Sequence, residues 1–139
     1  MNQFIIDQAK KIHYTYNNIE TQHYAFALDN NNNIICIGLN TQTIHAEEAL
    51  INKLNKYPNT ILSPKCKYIN IYVIRLTKQC FLTNSKPCVN CLNKLSKSKY
   101  KIKNIYYSDN NRQIVKESYL NITTDHTSEG YRWRNKDIL

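Results

Sequence analysis

No stretch of this 139-residue chain approaches the roughly 20 consecutive apolar residues that a bilayer-crossing helix needs. The opening MNQFIIDQAKK has too short an apolar core for an export leader and carries an acidic residue, so a soluble, cytoplasmic protein with no membrane partner is expected. Glycine occurs twice and proline three times, against 20 asparagines and 18 isoleucines. Such usage is what AT-rich coding gives, so part of the lysine excess behind the net charge of +9 reflects the genome. The rest implies attraction to phosphate, on a nucleotide or along a nucleic acid. No repeat is visible, and no second CxxC completes a zinc ribbon. Five cysteines, an odd number without an export leader, argue for free thiols or metal ligands rather than a disulfide framework.

The length suits one domain, which we place at residues 1–122. Residues 123–139 form a tail with no clear period, in which Tyr131 and Trp133 alternate with Arg132 and Arg134. The tail reads either as a docking segment with a packed Trp or as a clamp that stacks on bases.

Within the domain, Phe4, Ile5, Ala9, Ile12 and Tyr16 recur at helical spacing and predict a first helix over 3–16. Two apolar runs, 23–28 and 34–39, flank an Asn-rich turn and predict a β-hairpin. Ala46, Ala49, Leu50, Leu54 and Tyr57 predict a second helix over 44–57, stopped by Pro58. YINIYVIRL, 68–76, is apolar and β-branched nearly throughout, as expected of a strand covered on both faces. Pro87 opens a third helix with Val89, Leu92 and Leu95 on its apolar side. IKNIYYSDNNRQIVKESYLNI, from 102, reads as two antiparallel strands about a turn at 109–111, since three polar residues are too few for a parallel crossover.

Chemistry gathers at two predicted helix starts, His45-Ala46-Glu47 and Pro87-Cys88-Val89-Asn90-Cys91. Three residues apart in a first helical turn, Cys88 and Cys91 lie about 60° from one another around the axis, so both sulfurs can reach one ion at about 2.3 Å. His45 supplies a third bond. Three protein ligands mark a catalytic zinc, which leaves its fourth position to water, whereas four close a structural one. Helix starts also favour thiolate, the form that binds zinc. Glu47, two residues past His45, points away from the ligand direction while staying within one turn of the metal, as a proton shuttle requires.

Cys66 and Cys80 could join Cys88 and Cys91 in a four-thiolate site, but they flank a strand whose ends are about 25–30 Å apart. Cys36 reads as a small core residue, and His13, His23 and His126 as surface or core histidines.

The two motifs together match the H-x-E then P-C-x-x-C signature of zinc deaminases, and over residues 3–119 the chain resembles the cytidine and deoxycytidylate deaminase superfamily. The resemblance implies an α/β fold with three α/β/α layers, a five-stranded mixed sheet and an antiparallel last strand. It implies zinc on His45, Cys88 and Cys91, and Glu47 as the catalytic acid and base. It also implies substrate contacts at Asn40, at the Ala46 N–H and at the carbonyls of Ser85 and Lys86, and assembly as a homo-oligomer. Asn40 reads equally well as a turn residue. The HAE histidine is usual in deoxycytidylate, nucleic-acid and purine deaminases, while the final antiparallel hairpin fits the free-nucleoside branch. The 39 residues between Glu47 and Pro87 leave a loop, 58–67, that can shape the pocket.

The leading expectation is hydrolytic deamination of a cytosine nucleoside or nucleotide to the uracil form with release of ammonia. The alternative is deamination of cytosine or adenine within DNA or RNA, a nucleic-acid partner in place of a small molecule. A third reading is a non-catalytic binding module that keeps zinc for stability, against which an intact Glu47 speaks.

Overall fold

A computed structural model of the chain describes residues 1–15, 21–41, 43–56 and 68–122. Helix α1, Asn2–Thr15, buries Ile5, Ile6, Ala9 and His13, a stripe of spacing one, three and four. The stripe is rotated from the expected one: Phe4 is 49% exposed and His13 takes the inner position, because its Nδ1 meets the Tyr24 hydroxyl at 2.8 Å. Tyr16, Pro58, Cys66, His126, the loop 58–67 and the tail 123–139 lie outside the described residues.

Strands β1 (Thr21–Leu28) and β2 (Ile34–Leu39) form the expected hairpin, the first beginning two residues early. Asp29 organises the turn, its Oδ1 accepting the N–H groups of Asn31 and Asn33, both at 2.9 Å, while Asn32 takes φ 66°. Helix α2, Ala46–Lys56, follows. Its inner face is Ala46, Glu47, Leu50, Ile51 and Leu54; Ala49 is only half-buried. Strand β3, Ile69–Thr77, is the central strand that its nearly continuous apolar run predicts.

The sheet runs β2-β1-β3-β5-β6, where β5 is Ile102–Ser108 and β6 is Ile114–Ser118. All pairs on this path are antiparallel except β3 with β5, which the short helix α3, Val89–Leu95, connects. The antiparallel last pair agrees with the expectation, and Asp109 repeats the Asp29 device, accepting from Asn111 and Gln113 at 2.9 Å each. One strand exceeds the expected five. Residues Leu82–Thr83 form a two-residue strand β4 against β3, reached through a tight turn in which Cys80 N donates to the Thr77 carbonyl at 2.9 Å and Cys80 takes φ 67°. A run this short has no period to read, which is why the sequence reading passed over it.

Strand alternation splits the core into two layers. Tyr24, Phe26, Leu28, Tyr72, Ile74 and Leu76 face α1, and Ala25, Ala27, Ile69, Ile71 and Val73 face α2 and α3. This is the expected three-layer α/β/α arrangement. Each fully buried Ile or Leu contributes about 1.5–3 kcal/mol through burial, and on both faces such residues hold the sheet rigid beneath the starts of α2 and α3. No helix among the described residues is long and apolar enough to cross a membrane.

Candidate metal centre

The approach of α2 to the sheet depends on Gly38. A methyl group there would lie 2.5 Å from the Ala46 carbonyl oxygen and 2.6 Å from the Leu50 nitrogen, so the helix start rests directly on the β2 backbone. His45 precedes this start, its carbonyl accepting from Ala49 N at 3.0 Å. Cys88 stands outside α3, at its N-cap, with extended backbone (φ −77°, ψ 172°) and a side chain that accepts from Cys91 N at 3.4 Å. The expected pairing within one helical turn is therefore corrected: the two sulfurs converge because a cap and the first turn face each other.

Among the described residues, His45, Cys88 and Cys91 bring one ligand atom each to within 4.8 Å of one another. His45 Nδ1 lies 2.9 Å from Cys91 Sγ and 3.9 Å from Cys88 Sγ. Tetrahedral zinc, with bonds of about 2.3 Å to sulfur and 2.0–2.1 Å to nitrogen, separates such ligands by about 3.6 Å, between the two observed spacings. One imidazole and two thiols, two of the three residues buried, thus fit a single ion. Cys80 sits in the turn before β4 and does not belong to this group.

The two thiols divide one proton unequally. Cys88 is held down to about 3 by the Cys91 thiol that donates to it, against the effect of burial, with His45 assisting. Donating to Cys88, together with burial and the nearby Glu47 carboxyl, pushes Cys91 far up. Cys88 thus leans toward thiolate, the form that binds a metal, and Cys91 would give up its proton to a bound ion.

Glu47, on the inner face of α2, is 3% exposed. Its Oε1 is buried without a hydrogen-bond partner, and burial raises the carboxyl above the ordinary range although contact with Cys91 opposes this. A buried polar atom without a partner costs about 1–3 kcal/mol, and this one lies beside the converging donors. Neighbouring Glu48 instead pairs with Lys94 at 3.3 Å.

The remaining anticipated residues surround this group in different ways. Asn40, at the end of β2, accepts from His23 N through Oδ1 at 2.9 Å and from Gln22 Nε2 through its own carbonyl at 3.3 Å, so part of its role is to tie β2 to β1. Ala46 is the first residue of α2, whose N–H has no partner within the helix. The buried Ser85 hydroxyl donates to the Val73 carbonyl at 2.6 Å and accepts from Ser108 N at 2.8 Å, fixing the segment before Pro87 to β3 and β5. The Lys86 ammonium turns to Glu117, 3.6 Å away.

Two further residues stand here: His23, expected from the sequence as a surface or core histidine, and Arg75, to which the sequence assigned no role. His23 lies opposite Arg75 in the β1–β3 register, and both continue the rows that face α2 and α3. His23 is lowered to about 4 by burial, then by the charges of Arg75 and His45, with Cys88 opposing. The alternation of His23 with Ala25 and Ala27 carried a signal for its face, but its pairing with Arg75 is a product of the sheet.

Comparison of the chain with models of known protein families and with curated protein sequences finds no match. The fold and the converging donors therefore define a class: an α/β protein with a candidate His-Cys-Cys metal centre.

Proposed function

We propose that the protein is a zinc-dependent hydrolytic deaminase of a cytosine nucleoside or nucleotide. The observation that carries this reading is the pairing of a three-donor site with a buried carboxylate whose Oε1 lacks a partner. A structural site closes with four protein ligands and has no use for an acid held dry beside it.

Zinc held by His45, Cys88 and Cys91 would supply a Lewis acid that makes water nucleophilic near neutral pH. Glu47 takes one proton from that water as its oxygen bonds to the ring carbon bearing the exocyclic amine, and passes it to the ring nitrogen. It then takes the second proton from the hydroxyl now on that carbon and passes it to the amine, and the C–N bond breaks to release ammonia, so one water is consumed for each base converted. Burial moves the carboxyl upward, toward the protonated form from which it can donate. The Ala46 N–H, without a partner in its own helix, suits the ring carbonyl, the Nδ2 of Asn40 a sugar hydroxyl, and the carbonyls of Ser85 and Lys86 the departing amine.

The test is ammonia release from cytidine, deoxycytidine, CMP, dCMP and single-stranded oligonucleotides, with zinc content measured in parallel. Glu47→Gln is expected to keep its zinc and fold while losing about 10²- to 10⁴-fold in turnover, the usual share of general acid and base catalysis. Unchanged turnover in the variant rejects the mechanism. Activity confined to oligonucleotides replaces the small-molecule substrate with a nucleic acid.

A further inference from the structure

We propose that His23 and Arg75 form an anion-binding subsite beside the metal centre, and that its ligand is the phosphate monoester of the substrate nucleotide. The identity of the ligand rests on the deaminase reading; the subsite does not. Cβ atoms of residues directly opposed across an antiparallel pair are about 4.5–5.5 Å apart, so imidazole and guanidinium leave the sheet side by side. They leave it on the face covered by α2 and α3, where Ala25, Ala27, Ile71 and Val73 form the adjoining core.

Arg75 Nε is buried and has no hydrogen-bond partner. A donor nitrogen withdrawn from water needs an answering acceptor, because burying an unpaired polar atom is costly. Glu48 pairs with Lys94 and Glu117 with Lys86, so neither answers Arg75. The Arg75 backbone N–H is occupied by the Ser108 hydroxyl at 3.3 Å, so the strand is pinned while Nε of the side chain remains unanswered. The row of His23 continues through Ala25 and Ala27, which pack in one cluster with Ala46 beside His45, and the charges of His45 and Cys88 reach His23, so the pair lies on the side of the sheet that carries the metal centre.

A guanidinium fork matches two oxygens of a phosphate, and neutral imidazole adds one N–H donor. His23 is also held through its backbone by Asn40, the residue suited to the sugar. Base at the triad, sugar at Asn40 and phosphate at Arg75 follow the order of groups in a nucleoside monophosphate. The subsite thus selects nucleotides over nucleosides.

The test is calorimetric binding of CMP, cytidine and inorganic phosphate to the zinc-loaded protein, in wild type, Arg75→Gln and His23→Gln. CMP is expected to bind about 10- to 100-fold tighter than cytidine, the range for hydrogen bonds to a charged group. Arg75→Gln should abolish that gap and the binding of inorganic phosphate while leaving cytidine affinity unchanged. His23→Gln, which keeps the guanidinium, should narrow the gap and stands in if Arg75→Gln does not fold. Wild type that binds neither inorganic phosphate nor CMP more tightly than cytidine, or a gap that survives both substitutions, overturns the subsite. Loss of phosphate binding in Arg75→Gln, with no ammonia released from any substrate by wild type, upholds the subsite and rejects the deaminase reading. Turnover of nucleoside and nucleotide alike, without a binding gap, does the reverse.

Discussion

Glu47 and His23 are two titratable side chains that burial pushes in opposite directions, each toward its neutral form. For His23 the consequence is measurable in stability. Its folded value of about 4 lies below the ordinary 6.5, so the unfolded chain binds a proton that the folded chain refuses. The contribution is fully present above pH 6.5 and is lost as pH falls through 4. Urea unfolding at constant zinc should therefore show wild type losing stability between pH 7 and 4.5 more steeply than His23→Gln; parallel curves would remove the buried, neutral imidazole from the account. Residues of this kind differ in how far sequence exposes them. His45, Glu47, Cys88 and Cys91 stand within three residues of a motif partner, so spacing alone reveals them. His23 and Arg75 are 52 positions apart and meet only through strand pairing, which no local period encodes.

At the scale of elements, the decisive joint is β2 against α2. Gly38→Ala would drive a methyl group into backbone atoms of Ala46 and Leu50, which cannot rotate away as a side chain can. We expect a loss of about 1–3 kcal/mol by urea unfolding, the usual cost of overpacking, together with weaker zinc retention against a chelator, because His45 and Glu47 ride on the displaced helix start. Retained stability and zinc affinity would show that α2 does not depend on this close approach. Helices and long strands were legible because 11 to 14 residues of α1 and α2, and nine of β3, repeat their period several times. Helix faces were read less well. Ile6, Glu47 and Ile51 point inward where Phe4 and Ala49 had been expected, since the inner face is fixed by the contour of the sheet rather than by hydrophobicity alone. The cap position of Cys88 and the strand β4 depend on single turns, below the reach of periodicity.

At the scale of the whole molecule, topology assembles the site. Hairpin β1–β2 and the parallel pair β3–β5 carry α2 and α3 on one face, with both helix starts at the same end of the sheet, and residues 43 and 46 positions apart in sequence meet there. The antiparallel partnership of β5 and β6 was legible from a three-residue turn; the antiparallel approach of β1 to β3 was not, because some forty residues separate them and a connection of that length permits either direction. The central claim is that this topology makes one zinc site with two sulfur ligands, one imidazole and one position left to solvent. X-ray absorption at the zinc edge of the loaded protein tests it most directly: we predict one zinc per chain with two sulfurs at about 2.3 Å and two nitrogen or oxygen atoms at about 2.0–2.1 Å. A third or fourth sulfur, or a shell without sulfur, would contradict it.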